Sequence, residues 1–352
     1  EPDGTGFAVK TATFQGGNWS RPVTITTSNN LFVNWADFPT VAAFNDGTLA
    51  VSWLQENTNI PYAYDINIAL SSDAGQTWGS PIVPHDDQST RQHGFLTLLP
   101  TERDEMIAVW LDAREYNSQS PGDSFGNAVQ LRSTTIGKDG TLGKDIPLDL
   151  RACSCCQTSA AITEDGTVLI AYRDRTADEI RDISIVRRHN EVWSGPVNVH
   201  ADGWEISGCP VNGPAIDAQA TDAVVAWFTG ADDIPIVKVA FSEDSGATFG
   251  PAFQVDSGES VGRVGTLMLA TGDALISWVE WTSDGEVLML CRATKNDGCV
   301  ARQTITEHAA SGSFNFPKLA RSGDTIYLAW TQPIDFEAGF STIRMVVLDL
   351  SN

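Results

Sequence analysis

One pattern recurs six times along this chain. A short apolar strand is followed by a turn and then by a second apolar strand that ends on an aromatic residue. The copies occupy 39–53, 95–110, 158–172, 213–227, 264–278 and 316–330, ending on Trp53, Trp110, Tyr172, Trp227, Trp278 and Trp330. Several carry Asp-Gly or an equivalent at the centre, as a tight hairpin requires. One such unit cannot bury its apolar faces alone, so copies must stack on one another.

A third strand with period-two alternation follows each copy, at 66–70, 129–131, 183–186, 236–239, 287–290 and 343–346. A fourth, outer strand follows most of them and often opens on an aromatic, as in Trp78-Gly79-Ser80-Pro81, Trp193-Ser194-Gly195-Pro196 and Phe249-Gly250-Pro251. Four antiparallel strands repeated six times predict an all-β fold, a six-bladed β-propeller spanning 1–352 as a single domain. The last copy has only three strands, whereas Trp19–Val23 reads as an orphan outer strand. The N-terminal strand is therefore expected to complete the last blade and close the ring.

The chain carries 45 acidic and 22 basic residues, a formal charge of −23. That field repels nucleic acid and anionic membranes, so neither is an expected partner. No apolar run approaches the roughly 20 residues that span a bilayer. The opening Glu1-Pro2-Asp3-Gly4 reads as the start of a mature chain whose signal peptide has been removed, and six cysteines fit an oxidising compartment. The expectation is a secreted or periplasmic protein.

Two hairpin turns, Ser72-Asp73-Ala74-Gly75-Gln76-Thr77-Trp78 and Ser242-Glu243-Asp244-Ser245-Gly246-Ala247-Thr248-Phe249, resemble the Asp-box (BNR repeat), S-x-D-x-G-x-T-W, of the sialidase-like propeller superfamily. The resemblance covers nearly the whole chain and implies the propeller fold. In that superfamily the Asp-box is structural and lies away from the catalytic face. The segments Cys153-Ser154-Cys155-Cys156-Gln157-Thr158 and Cys209-Pro210-Val211-Asn212-Gly213-Pro214 look like those of bacterial proteins described as sialidase-like. True sialidases open their first inner strand on Phe-Arg-Ile-Pro, whose Arg grips the substrate carboxylate. Here Ala36-Asp37-Phe38-Pro39 puts an anion in its place, which argues against sialic acid. Asp65 is the nearest match to the family's acid.

Propeller ligands bind where inner strands begin. The residues before each copy that are expected to converge there are Asp37, His93, Cys155 with Cys156, Cys209 with Asn212, Arg263 and Asn315. Thiols and an imidazole from neighbouring blades suit a soft metal ion, copper first and zinc second, with redox or ligand-binding activity. The metal set is Cys155, Cys156, Cys209 and His93. Disulfide bonding within the Cys153–Cys156 and Cys209 group, or a reactive thiol, are the other readings. Cys291 and Cys299 are expected to form a disulfide.

The alternative activity is glycoside hydrolysis of a non-sialic sugar through rim carboxylates, with Glu115 or Glu179 as acid and Asp174 or Asp37 as partner. Arg263, Asn212, Arg114, Arg181, Trp35 and Trp204 are the candidate ligand-binding residues. A non-catalytic recognition propeller held by disulfides is the third reading. His85, His189, His200 and His308 read as scattered surface histidines, the last of them outside the residues the structure describes.

Overall fold

The computed structural model describes residues 1–4, 6–117, 128–306, 314–335 and 340–348. Among them every regular element is a strand, apart from a short 3-10 turn at Ala231–Asp233. The chain divides into two compact units, Glu1–Ser154 and Cys155–Asn352.

The first unit holds three sheets. β1 (Pro2–Asp3), β2 (Gly6–Thr11) and β5 (Val23–Ser28) form the N-terminal one, with a hairpin of β3 (Phe14–Gln15) and β4 (Asn18–Trp19) inserted between β2 and β5. β6 (Val41–Ala43), β7 (Leu49–Glu56) and β8 (Tyr64–Ser71) form the next, and β9 (His93–Pro100), β10 (Glu105–Asp112), β11 (Val129–Gly137) and β12 (Ile146–Ala152) the third.

The second unit holds four. β13 (Ser159–Ile162), β14 (Val168–Arg173) and β15 (Ile183–His189) are edged by β16 (Val192–Trp193) and β17 (Val197–Asn198), both paired to β15. Then come β18 (Ala215–Gln219), β19 (Asp222–Thr229), β20 (Ile236–Ser242) and β21 (Phe253–Gln254). They are followed by β22 (Ser260–Met268), β23 (Ala274–Thr282), β24 (Gly285–Thr294) and β25 (Gly298–Thr304), and last by β26 (Lys318–Ser322), β27 (Thr325–Asp335) and β28 (Phe340–Leu348). The pairing is antiparallel throughout these seven sheets. In the second unit the first strands of successive sheets are neighbours, β13 beside β18, β18 beside β22 and β22 beside β26; in the first unit β6 lies beside β9. Blades of a propeller adjoin in this way.

The blade count corrects the sequence-based expectation. Sheets of three or more strands number seven among the described residues, not six. The N-terminal segment builds a sheet of its own instead of finishing the last blade. Trp19 pairs with Phe14 in the short β3–β4 hairpin, and β5 pairs with β2. The extra sheet escaped the repeat because it lacks the repeat's signals. Its two longer strands are joined by an 11-residue excursion, Ala12–Pro22, and Thr-Ser-rich β5 ends on no aromatic residue.

The six aromatic ends are all buried. Three of them also satisfy their indole N–H on a carboxylate: Trp110 donates to Asp112 (2.8 Å), Trp227 to Asp202 (2.7 Å) and Trp278 to Glu280 (3.2 Å). A buried Trp contributes a large apolar area only if that polar edge finds a partner. Trp278 sits among Val264, Met268, Ile276 and Met289.

Both Asp-boxes are closed local networks. The Asp73 carboxylate accepts from Ser71 Oγ (2.8 Å), the Gln76 and Thr77 amides (3.0 and 2.9 Å) and Thr77 Oγ1 (2.6 Å), while Gly75 turns at φ +84°. Asp244 repeats the pattern with Ser242 and Thr248. Hydrogen bonds from Thr77 and Ser71 hold the Asp73 carboxyl down at about 2. The Cys291–Cys299 disulfide is formed, across the β24–β25 hairpin, with Cα atoms 5.9 Å apart.

Replacing Trp278 by Ala removes a fully buried side chain and strips Glu280 of a donor. We expect a loss of roughly 3–5 kcal/mol, read as a fall in the denaturant midpoint. Unchanged stability contradicts the assignment of this residue to the core.

Candidate functional site

In the first unit, polar side chains gather where β8 and β9 begin and β10 ends. Asp37 lies just before β6. Its carboxylate accepts the Phe95 amide (2.8 Å) and the Tyr64 hydroxyl (3.1 Å). Phe95 holds φ +55°, so the acceptor fixes a backbone that ordinary residues avoid. Gly94 permits the approach: a Cβ there falls 2.1 Å from Asp37 Oδ2. Burial pushes the Asp37 carboxyl up to about 7, against the lowering effect of its two hydrogen bonds.

Asp37 also lines a cavity of about 430 Å³, shared with Lys10, Phe32, Asn34, Thr40 and Trp53. The Trp53 indole N–H is buried and has no hydrogen-bond partner among the described residues.

Beyond Tyr64 lies a second group. The rings of His85 and His93 stack at 3.8 Å, within 6° of parallel. His93 Nε2 meets Asp87 Oδ1 at 2.7 Å, and Nδ1 faces Asp65 Oδ1 and the Tyr64 carbonyl, both at 3.3 Å. Oxygens that only accept therefore face both ring nitrogens. Burial opposes charge on His93, but the Asp65 hydrogen bond and the fields of Asp112, Asp87 and Asp65 outweigh it and raise its pKa. His85 shifts downward through burial and repulsion from His93.

Arg114 closes the cluster, contacting Asp112 (2.8 Å), Asp145 (2.6 Å) and Asp86 (2.9 Å); Arg132 shares Asp145 at 2.7 Å. Burial disfavours charge on Asp87, yet Ser89, His93 and Arg114 hold it down at about 2.

In the second unit, Asn212 repeats the part played by Asp37. Its Oδ1 accepts the amide of Arg263, which holds φ +56°, and its Nδ2 donates to the Val261 carbonyl. The Arg263 guanidinium is mostly buried, with Glu286 3.6 Å away. Burial lowers its pKa. Arg173, fully buried, donates to the carbonyls of Asn212, Arg181 and Phe228 and lies over the Trp204 ring. Glu179 is clamped by Arg175 and Arg181, the latter at 2.7 Å. Burial opposes its charge, but the two arginines hold its carboxyl below the usual range. Asp174 accepts from Ser184 Oγ at 2.9 Å.

Of the sequence-derived candidates, Asp37, His93, Arg114 and Asp65 meet in one neighbourhood. Glu115 is exposed in the turn after β10, and Trp35 is exposed before β6. Trp204 is buried against Phe228 and Arg173. Cys155 is half-buried, Cys156 buried and Cys209 exposed in the second unit. His93 belongs to the first unit, and carboxylates and His85 surround its ring. His85 is not a surface histidine as the sequence suggested: it is only 7% exposed. Tyr64, Asp87, Asp112 and Asp145 were missed. Their one signal was density, in Pro84-His85-Asp86-Asp87 and Leu111-Asp112-Ala113-Arg114.

No family model matches the chain, and no curated protein matches it. Solved structures do. The GH93 α-L-arabinofuranosidase of Fusarium graminearum, in complex with arabinobiose, is 14% identical with a TM-score of 0.59 and covers 99% of both chains. An α-L-arabinanase of Penicillium chrysogenum, also with arabinobiose, is 15% identical at TM-score 0.53, covering 89% of this chain and 93% of that one. The NanB sialidase of Streptococcus pneumoniae is 10% identical at 0.54, covering 93% and 70%. At such identities the likeness establishes the fold: an all-β, sialidase-like propeller with antiparallel four-stranded blades.

A carboxyl raised from 3.8 to about 7 favours the folded state fully below its unfolded pKa. That contribution drains away as pH rises from about 4 through about 7. Asp37→Asn keeps an oxygen acceptor and cannot ionise. We expect the variant to match the parent near pH 4.5 and exceed it at pH 8, by up to ~4 kcal/mol. Equal pH dependence of the two melting temperatures contradicts this reading.

Proposed function

We propose that the protein is a glycoside hydrolase acting on a non-sialic sugar. The single observation that carries the reading is Asp37, a buried carboxyl on the wall of a cavity large enough for a sugar residue, on a fold it shares with glycosidases. Its raised pKa supports the role of proton donor to the leaving oxygen near neutral pH.

Glu115 takes the second carboxylate role in this reading. It follows β10, whose Asp112 pairs with His93 and whose Leu111 pairs with Gly94, the glycine that abuts Asp37. Arg114 and Trp35, in the same unit as Asp37, are the residues to be tried as ligand contacts. The substrate class follows from chemistry and likeness together. An anion at position 37 disfavours a sialic-acid carboxylate, and two of the similar structures hold arabinobiose, so α-L-arabinofuranosides come first. Secretion fits the Cys291–Cys299 disulfide; no helix among the described residues is long and apolar enough to cross a membrane.

The test is a panel of aryl glycosides, pentofuranosides included. Asp37→Asn is expected to lower kcat/KM by roughly 10²–10⁴-fold on substrates with poor leaving groups and far less on dinitrophenyl glycosides. The parent's rate should fall as pH rises past about 7. Glu115→Gln should lose activity irrespective of leaving group. No turnover across the panel, or an Asp37→Asn enzyme as fast as the parent, overturns the proposal.

A second reading keeps a soft metal ion, copper first and zinc second, on the thiols Cys155, Cys156 and Cys209. Burial of Cys156 beside half-buried Cys155 favours it. Metal content measured before and after Cys155→Ser decides it.

A further inference from the structure

We propose that Tyr62 is the stacking platform of a second sugar subsite, holding the neutral sugar residue next to the one in the Asp37 cavity. The inference deepens the hydrolase reading and rests on it for the class of ligand.

Tyr62 occupies a place that its turn suits to glycine. The loop from β7 to β8 ends in a turn from Ile60 to Ala63, closed by the Ala63 amide donating to the Ile60 carbonyl at 3.1 Å. Pro61 holds the second position of that turn, and Tyr62 holds the third with φ +61°. A proline followed by a positive φ is the pattern of a type II turn, whose third position favours glycine. The core makes little use of the ring, since Tyr62 is 66% exposed. A bulky side chain kept in a left-handed backbone and turned to solvent is the kind of outlier that concentrates at ligand sites.

Contacts tie the ring to the Asp37 site. Tyr62 meets Phe32 edge-on, with ring centroids 6.1 Å apart. Phe32 stacks on Tyr64 at 4.0 Å and lines the cavity that Asp37 also lines. Tyr64 in turn donates its hydroxyl to Asp37 at 3.1 Å. A single ring, Phe32, therefore stands between Tyr62 and the cavity wall. Phe32 lies along the end of β7, its amide bonded to the Leu54 carbonyl at 3.0 Å. On the same two segments Val33, Trp35 and Ile60 are exposed, so apolar side chains face solvent beside Tyr62.

The platform is held ready. The Asn57 amide donates to the Ala63 carbonyl at 3.1 Å, Asn57 Nδ2 to Asp65 Oδ1 at 2.9 Å, and the Ile60 amide to Thr58 Oγ1 at 3.1 Å. A ring already fixed loses little freedom when a ligand stacks on it. A sugar ring carries C–H groups on its faces and hydroxyls round its edge. An exposed aromatic face with a hydroxyl at one end matches both. The formal charge of −23 disfavours an anionic glycan, which leaves a neutral one.

The test measures binding, not turnover. Arabinose, arabinobiose and arabinotriose, and in parallel neutral hexose oligosaccharides of one to three residues, are titrated calorimetrically into the full chain carrying Asp37→Asn. We expect the second sugar residue to tighten binding about 5–10-fold. Adding Tyr62→Ala should abolish that gain, and Tyr62→Trp should keep it. Tyr62→Gly should hold or raise the melting temperature, because glycine takes φ +61° without strain, and still lose the gain. It decides the matter should Tyr62→Ala misfold. No binding of any of these sugars, no gain with length, or a gain kept without the Tyr62 ring overturns the proposal. A length gain that depends on Tyr62, in a protein whose parent turns over no glycoside, sinks the hydrolase reading alone and leaves the subsite standing.

Discussion

The arrangement of both units depends on one kind of interaction, a side-chain acceptor reaching from one sheet to the amide at the start of a later one. Asp37 takes the Phe95 amide and Asn212 takes the Arg263 amide. Both receiving residues hold φ near +55°, where a non-glycine residue pays about 1–2 kcal/mol. A bond from a fixed neighbour offsets that strain and sets where the first strand of the sheet begins. The acceptors precede a proline two residues on, in Asp37-Phe38-Pro39 and Asn212-Gly213-Pro214, and Asn315-Phe316-Pro317 repeats the spelling. Within this device Asn serves as well as Asp, because the task is to accept an amide. The use of Asp at the first position therefore adds something the latch does not need, a proton that can leave.

That difference shows how much was legible in the sequence. The repeat was, because a buried aromatic at the end of each second strand is an apolar constraint that recurs in register. The Asp-boxes were, because the bonds that close each aspartate's turn join residues at most four apart. The N-terminal sheet was not: its two longer strands are separated by an excursion and end on no aromatic residue, so its pairing is decided by tertiary contact. His85 was misread for a related reason. Proline, two aspartates and a serine surround it, which is the composition of a surface loop, and only packing against His93 buries it. Asn212 and Asp37 were placed near the strand starts by counting back from the repeat, but their bonding partners lie about 50 residues away and no local pattern announces them.

Buried arginines are held in two contrasting ways. Arg173 spends its donors on three main-chain carbonyls and its face on Trp204. Neutral acceptors orient a guanidinium without cancelling it, so this cation pins three segments and offers nothing further to a ligand. Arg114 and Arg132 instead meet carboxylates, and those carboxylates outnumber them. A buried anion left partly uncompensated is costly, and it is retained only where protonation, a counter-ion or a ligand repays it. In the first unit burial raises the pKa of Asp37, and the aspartates around His93 raise its pKa against burial. The surplus of carboxylates therefore sits around Arg114 and Arg132, while Arg173 is held by main-chain carbonyls.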